Sequence, residues 1–258
     1  MTESTLLYAV ADNVVTITLN RPNVMNGLNA ALRAALLAAV TRAPADGRVL
    51  VLTGAGRAFC SGQDLSHDFS PEELDLEATL RDEYEPLLRA IYNCPIPTIS
   101  AVNGPAAGAG ANLALAADVV IATQSAVFIQ AFTRIGLIPD AGGTYWLPRQ
   151  VGFARAMGAA LFAESVSADQ AAAWGMIWEA VPDAAFTEHV AARAVHLAKG
   201  PTQSYALLKQ AMRTSYANDL DEQLALEARL QAKAGASDDF AEGVAAFKEK
   251  RMPRFKGH

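Results

Sequence analysis

Two glycine-rich turns carry the first residues of this sequence that point to chemistry. One spans Gly56 to Leu65 and the other spans Asn103 to Asn112, and each follows a predicted buried strand. Small residues let a ligand approach the backbone closely, and free N–H groups at a helix start carry a partial positive charge. If the two turns converge, they form an oxyanion hole for an enolate or a tetrahedral oxygen. Either turn alone is equally consistent with tight strand–helix packing or with a dinucleotide-binding turn.

Several other chemistries lack the residues they need. The sequence has no Gly-x-x-x-x-Gly-Lys-Ser/Thr phosphate loop, no His-Glu-x-x-His zinc motif and no Gly-x-Ser-x-Gly nucleophile elbow. His189 and His196 lie one heptad apart on a predicted surface helix, where solvated side chains are the simplest interpretation. Two cysteines, Cys60 and Cys94, provide neither a disulfide framework nor a cysteine zinc site. No metal site is therefore predicted.

Composition limits the class of protein. The chain has 258 residues, of which 52% are hydrophobic and 19% charged, as in an ordinary globular protein with a sizeable core. A net charge of -6 argues against a nucleic-acid partner. Met1 to Val10 lacks the pattern of a signal peptide, and no apolar run approaches the roughly 20 residues of a membrane span. These features and the unpaired cysteines predict a cytoplasmic protein with no membrane partner.

Short strands and helices must position the two turns. Buried strands are predicted from apolar and β-branched runs at residues 14–19, 49–53, 97–102 and 119–122. Capping residues predict helix starts at Asn29, Ser70 and Ser167, and Pro86 should divide the helix that begins at Ser70. From residue 201 onward only helical spacing is present. The sequence predicts an α/β core over residues 1–200 and a helical C-terminal region over residues 201–258.

A set of motifs resembles the enoyl-CoA hydratase/isomerase (crotonase) family in order and spacing. They are Leu19–Pro22, Thr53–Leu65, Ala101–Gly104, Ile138–Thr144 and Ala246–Arg251. The resemblance covers the whole chain. It implies a crotonase-like spiral of ββα units, a C-terminal helical trimerisation region, and a homotrimer or dimer of trimers. It also implies acyl-CoA substrates, so that coenzyme A is part of the substrate and no separate cofactor is expected.

The same resemblance assigns roles to individual residues. The backbone amides of Gln63 and Ala109 fall at the oxyanion-hole positions. The residues expected to hold the CoA are Asn23, Met25, Ser61, Gly62, Asp64 and Leu65. Lys250 should reach a phosphate, of CoA bound to a neighbouring subunit.

The sequence departs from the family at two important positions. Hydratases of the family use two glutamates to add water across a double bond, and here those positions hold Asn112 and Phe132. Neither side chain exchanges a proton near neutral pH, although both remain candidates for contact with the substrate. Straightforward hydratase chemistry is therefore not expected.

Asp140 is the remaining candidate for a catalytic group. Its neighbours Leu137 and Ile138 are apolar, and an apolar environment raises the pKa of a carboxyl group and suits it as a base. The residues alone also allow Asp140 to cap the next helix. Within the family, the segments around Asn112 and Asp140 resemble the 1,2-epoxyphenylacetyl-CoA isomerases of bacterial phenylacetate degradation, in which one Asp at this position is the acid/base.

The sequence thus predicts an acyl-CoA isomerase that moves a proton with Asp140. The expected reaction converts the ring epoxide of phenylacetyl-CoA to the oxepin form, with a 3,4-to-2,3 double-bond shift in enoyl-CoA as a second activity. The alternatives are a hydratase or thioester hydrolase, with water held by Asn112 or Asp140, and a non-catalytic CoA-binding scaffold. Four aromatic residues, Phe128, Phe132, Tyr145 and Trp146, are candidates either for an acyl pocket or for plain core.

Overall fold

The computed structural model describes residues 4–65 and 75–258. The helix start predicted at Ser70 lies outside these residues. Within the described part of the chain, no helix is both long and apolar enough to cross a membrane.

In the part of the chain that the structure describes, nine strands form two sheets. They are β1 Leu6–Ala11, β2 Val14–Leu19, β3 Val49–Gly54, β4 Thr98–Val102, β5 Ala106–Ala107, β6 Val119–Thr123, β7 Val127–Ile129, β8 Ser165–Ser167 and β9 Glu179–Val181. The large sheet has the order β1-β2-β3-β4-β6-β9 and the small sheet the order β5-β7-β8. In the large sheet β1 is antiparallel to β2, and the other neighbours are parallel. Parallel neighbours need crossover connections, and helices provide them here.

Eleven α-helices follow or connect these strands in the described chain. They are α1 Ala30–Asp46, α2 Leu76–Thr79, α3 Glu85–Tyr92, α4 Ala109–Leu115, α5 Gly143–Val151, α6 Phe153–Phe162, α7 Ala168–Trp174, α8 Phe186–Ala198, α9 Thr202–Thr214, α10 Leu220–Gly235 and α11 Asp238–Glu249. Units such as β4–β5–α4 place one strand in each sheet before a helix. The predicted α/β core with a C-terminal helical region is confirmed.

Apolar helix faces cover both sides of the large sheet. The apolar run of β3 alternates between a core that includes Leu50, Leu52 and α1, and a second core that includes Val49, Val51 and α8. A strand buried on both faces needs an uninterrupted apolar sequence, which is the pattern from which this strand was predicted. Asn29 caps α1, since its Oδ1 accepts the N–H of Leu32 at 2.9 Å.

Two elements differ from the sequence prediction, namely the helical segment before Pro95 and the N-terminal strand β1. The chain from residue 76 to 92 forms α2, a π-helical segment at Leu80–Tyr84, and α3, with Pro86 in the first turn of α3. The residues at this junction keep helical backbone angles, so the division predicted at Pro86 is a change of helix type and not a break. The strand β1 was not predicted, because its side chains are mostly exposed and show no buried-strand pattern.

Candidate active site

The two glycine-rich turns lie directly against each other. Ala107 donates its N–H to the carbonyl of Cys60 at 2.9 Å, and Phe59 donates to the carbonyl of Pro105 at 3.1 Å. Gly62 has a φ of +91°, and a Cβ there would lie 2.8 Å from the Ala107 oxygen and 3.3 Å from the Ala109 nitrogen. Only glycine combines that backbone conformation with so close an approach. The turns therefore converge as the first hypothesis requires.

The amides of Gln63 and Ala109 lie where the turns meet. Ala109 is the first residue of α4, so its N–H has no partner inside the helix. The backbone on either side of Gln63 is bonded to Leu28, which donates to the Gly62 carbonyl at 2.8 Å and accepts from the Asp64 N–H at 3.2 Å. Among the described residues, neither the Gln63 N–H nor the Ala109 N–H has a hydrogen-bond acceptor. Two unsatisfied donors on fixed backbone are what an oxyanion hole requires.

A cavity of about 550 Å³ opens over these two amides. Its described lining is mostly apolar and comes from the Ser61–Leu65 turn, the start of α4, the wall at residues 76–84 and the segment 131–140. Asp140 is the one carboxylate among the described lining residues. Gln63, Ala109 and this carboxylate therefore line one space.

Asp140 is a partly buried acid, and one of its carboxyl oxygens is unpaired in the described part of the chain. Its Oδ1 is buried and has no hydrogen-bond partner among the described residues. Burial raises the pKa of Asp140 to about 6. The helix-cap alternative is wrong, because the N-cap residue of α5 is Gly142 and no side-chain hydrogen bond from the described residues caps that helix. An acid with such a pKa can accept and return a proton near neutral pH.

The turn that presents Asp140 is tightly fixed. Ala141 and Gly142 have φ values of +46° and +83°, and the Gly143 N–H donates to the Asp140 carbonyl at 2.8 Å. Positive φ at both central residues is the geometry of a type I′ turn. A Cβ at Gly142 would collide with the Trp146 ring, so the turn has little freedom to move away from α5.

The side chain of Asn112 also binds the backbone of the Asp140 turn. Its side chain is fully buried, and its Nδ2 donates to the Asp140 carbonyl oxygen at 2.7 Å. Its Oδ1 accepts from Gln130 Nε2 at 2.9 Å. Asn112 does not line the cavity, whereas Phe132, at the second glutamate position, does. The amide at position 112 is therefore engaged with the protein backbone, and sequence reasoning missed its partner Gln130.

The Gln63 side chain is held by two further donors that sequence reasoning missed. Its Oε1 accepts from Arg33 Nη1 at 2.8 Å and from the Tyr84 hydroxyl at 2.7 Å. Arg33 is only 4% exposed and also pairs with Glu83 at 2.7 Å. A signal for Arg33 was present, since it shares helical spacing with the apolar Leu36, Leu37 and Val40. A charged residue on an apolar helix face usually has a buried partner.

The residues predicted to hold CoA separate into two groups. The Met25 carbonyl accepts the N–H of Ser61 at 2.9 Å, which joins the segment of Met25 to the first glycine-rich turn. Asn23, two residues before Met25, is exposed. Asp64 pairs with Arg21 at 2.6 Å. Ser61, Gly62 and Leu65 line the cavity, whereas Asn23, Met25 and Asp64 lie next to it. Lys250 is exposed at the end of α11 and does not line the cavity of its own chain.

The four aromatic candidates also separate. Phe132 lines the cavity, and Phe128 belongs to the core. Tyr145 and Trp146 line a neighbouring cavity.

The described residues contain no cluster of three or more His, Cys, Asp or Glu that could hold a metal ion. The arrangement places two backbone N–H groups and one carboxyl group around one cavity.

Known proteins resemble this chain over its full length. Residues 9–258 match the enoyl-CoA hydratase/isomerase family. A "probable enoyl-CoA hydratase" of Rhodobacter capsulatus is 63% identical, with 100% of each chain covered. A "1,2-epoxyphenylacetyl-CoA isomerase" of Escherichia coli is 48% identical, with 98% of each chain covered. A crystal structure of a putative enoyl-CoA hydratase/isomerase from Mycobacterium abscessus superposes with a TM-score of 0.93 at 36% identity, covering 98% of this chain and 100% of the other.

Proposed function

The chain belongs to the enoyl-CoA hydratase/isomerase family, whose enzymes act on CoA thioesters, and we propose that it is an isomerase of that family. One observation carries the proposal. The cavity over the two oxyanion amides has a single described carboxylate, Asp140, while the residues at the two hydratase glutamate positions are Asn112 and Phe132. One base used twice suffices to move a proton, whereas hydration also needs a group that positions water.

In the proposed reaction the thioester carbonyl oxygen accepts the N–H groups of Gln63 and Ala109. Asp140 removes a proton from the carbon next to the carbonyl, and the negative charge that develops on the oxygen is stabilised by the two N–H groups. Asp140 then returns the proton to a carbon farther along the chain. In a 3-enoyl-CoA this moves the double bond from carbons 3 and 4 to carbons 2 and 3.

The favoured substrate is the ring epoxide of phenylacetyl-CoA, converted to the oxepin form as a step of phenylacetate catabolism. The support is the name of the Escherichia coli relative, which is 48% identical over nearly the whole chain. The largely apolar cavity suits an aromatic ring. The double-bond shift of aliphatic enoyl-CoA, a step of fatty acid metabolism, is proposed as the second activity because it uses the same proton transfer.

A hydratase is the second candidate, favoured by the name of the Rhodobacter capsulatus relative. Hydration of crotonyl-CoA removes the conjugated double bond, whereas isomerisation of 3-hexenoyl-CoA creates one, so absorbance separates the two. We expect 3-hexenoyl-CoA to react at least about 100-fold faster in kcat/KM, the lower range for a positioned acid/base group. Hydration of crotonyl-CoA at an equal or higher rate would establish the hydratase instead.

We also propose that the protein assembles as a homotrimer or a dimer of trimers. The support is the apolar surface of the C-terminal helices, which includes Leu208, Met212 and Phe247, exposed by 56%, 64% and 86%. Coenzyme A enters only as part of the substrate in this proposal, and no separate cofactor takes part.

A further inference from the structure

A second cavity adjoins the active-site cavity. It has a volume of about 760 Å³ and lies between residues 77–93 and residues 138–146. The two cavities share three described lining residues, namely Leu80, Tyr84 and Asp140. Leu80 and Tyr84 come from the π-helical segment, a type of backbone irregularity that is frequent at functional sites. These two side chains therefore form a wall between two spaces, directly beside the proposed base.

This wall is held in place by the oxyanion turn. Tyr84 is 4% exposed, and its hydroxyl donates to Gln63 Oε1 at 2.7 Å. The Arg33 guanidinium lies 4.9 Å from the centre of the Tyr84 ring and binds the same Gln63 oxygen. Since Arg33 also pairs with Glu83, the neighbour of Tyr84, three contacts fix this part of the wall.

In the proposed placement the acyl group extends past Asp140 towards this wall, since Leu80, Tyr84 and Asp140 line the same two cavities. Its carbonyl lies at the amides of Gln63 and Ala109, and the carbon that loses a proton lies beside Asp140. Carbons beyond that point meet Leu80 and Tyr84. On the other side the second cavity offers apolar and aromatic surface, including Leu88, Tyr92 and Trp146.

We propose that Leu80 and Tyr84 form a partition that sets the length limit of the acyl group. The partition confines the substrate to compact acyl groups, and its removal lets a straight chain continue into the second cavity. The inference rests on the proposed position of the thioester at Gln63 and Ala109. It concerns selectivity, and it assigns no chemical step to either side chain.

The test measures binding of saturated acyl-CoA, which cannot isomerise. Dissociation constants for butyryl-CoA and decanoyl-CoA are determined by calorimetry for wild type, Leu80→Ala and Leu88→Ala. Leu80 and Leu88 are a matched pair, since both are half-buried and pack on the same core, but only Leu80 lines both cavities. Each buried methylene is worth about fourfold in affinity.

In wild type decanoyl-CoA should bind at most about threefold more tightly than butyryl-CoA, because the partition leaves its six added methylenes without surface on which to be buried. In Leu80→Ala decanoyl-CoA should bind at least about tenfold more tightly than butyryl-CoA, which corresponds to fewer than two of the six added methylenes entering the second cavity. Leu88→Ala should behave as wild type. Tyr84→Ala should repeat the Leu80→Ala result, with a melting curve for each variant to show that it is folded.

A preference for decanoyl-CoA already present in wild type, an unchanged ratio in folded Leu80→Ala, or the same change in Leu88→Ala would overturn the partition. Failure of wild type to bind butyryl-CoA at all would instead refute the proposed thioester site. The two failures are therefore distinguishable.

Discussion

The α/β core and the C-terminal helices use their side chains in opposite ways. In the core, the active-site segments are buried and bonded to one another, as Asn112 is to Asp140 and Arg33 is to Gln63. In the C-terminal region, α9 has no buried residue, and large apolar side chains such as Leu224 and Phe240 are more than half exposed. The difference agrees with the proposals that the core carries the chemistry within one chain and that the C-terminal helices contact other subunits.

Ion pairs and hydrogen bonds join α9 of the C-terminal region to the core. Lys209 and Arg213 of α9 both pair with Asp118, at 2.6 and 2.5 Å, and Lys209 also donates to the carbonyls of Cys94 and Ile96. Burial lowers the pKa of Lys209, an effect that the charge of Asp118 opposes. These directional contacts orient the helices on the core while their apolar side chains remain on the outside. The comparison predicts that changes in the core alter catalysis and that changes in the C-terminal region alter assembly and binding.

The largest effect is expected from Asp140→Asn. Asn cannot exchange a proton, so isomerisation of 3-hexenoyl-CoA should fall by roughly 10²–10⁴-fold, while acyl-CoA binding stays near that of wild type. The epoxide-to-oxepin step should fall less, because ring opening of an arene oxide proceeds partly without a base. Steady-state kinetics and calorimetry measure both quantities.

Asn112→Ala is the matched control for this variant. It removes the hydrogen bond to the Asp140 carbonyl but leaves the carboxylate. The isomerisation rate should therefore fall by only about tenfold, the equivalent of about one hydrogen bond. Retention of more than about a tenth of the rate by folded Asp140→Asn would show that Asp140 is not the base.

The pH dependence should be the next largest effect. Since burial raises the pKa of Asp140 to about 6, kcat/KM should be level above that pH and fall about tenfold by pH 5 as the base becomes protonated. A rate profile with 3-hexenoyl-CoA between pH 4.5 and 8 measures this. A flat profile through pH 6 would contradict the assignment of a buried carboxylate base.

Stability provides an independent check on the same group. The folded protein holds the Asp140 proton more tightly than the unfolded chain, in which the pKa of an Asp carboxyl is near its ordinary value of 3.8. Wild type should therefore lose stability relative to Asp140→Asn as pH rises from about 4 to 6, by on the order of 1–3 kcal/mol. Urea unfolding of both proteins at pH 4 and pH 7 gives the difference.

Assembly should depend on the C-terminal surface. Wild type should sediment at three or six times the chain mass of 27.2 kDa at micromolar concentration. The double variant Leu224→Asp, Phe247→Asp places charges on side chains that are 52% and 86% exposed in the single chain, so it should dissociate without unfolding. Leu7→Asp, on the 48% exposed side chain of β1, is the control and should leave the assembly intact. A monomeric wild type would refute this interpretation of the C-terminal helices.

Local sequence signals predicted the scaffold well. The strands β2, β3, β4 and β6 follow from apolar and β-branched runs, and the starts of α1 and α7 follow from Asn29 and Ser167, whose side chains accept N–H groups as capping residues do. These features depend on neighbours within a few residues. Asp140 was identified by its apolar neighbours and its family position.

Contacts between distant segments were not predictable from the sequence. Asn112 and Asp140 are 28 residues apart, and Gln63 lies 30 and 21 residues from Arg33 and Tyr84. Such pairs form only after the sheet order has brought the segments together, and single-sequence periodicity carries no information about that order. The proposed partition at Leu80 and Tyr84 depends in addition on a π-helical segment, which no local sequence signal predicts.

The smallest effect is expected from Lys250→Ala, in the C-terminal region. Lys250 is exposed and ends α11 with a φ of +56°, a conformation that costs Ala and Lys about the same, so the variant changes the charge and leaves the backbone as it is. A phosphate contact is equally strong in the ground and transition states, so KM should rise while kcat stays within about twofold. An exposed charge pair is worth about 0–1 kcal/mol, which limits the rise in KM to about fivefold.

Lys248→Ala is the control for this variant, because it removes the same charge two residues earlier and should leave KM nearly unchanged. The effect of Lys250→Ala should also shrink at high salt, because screening weakens the contact in wild type. A large fall in kcat for Lys250→Ala at saturating substrate would mean that the C-terminal region takes part in the chemical step. Catalysis could then no longer be assigned to the core of a single chain, and the contrast between the two regions would fail.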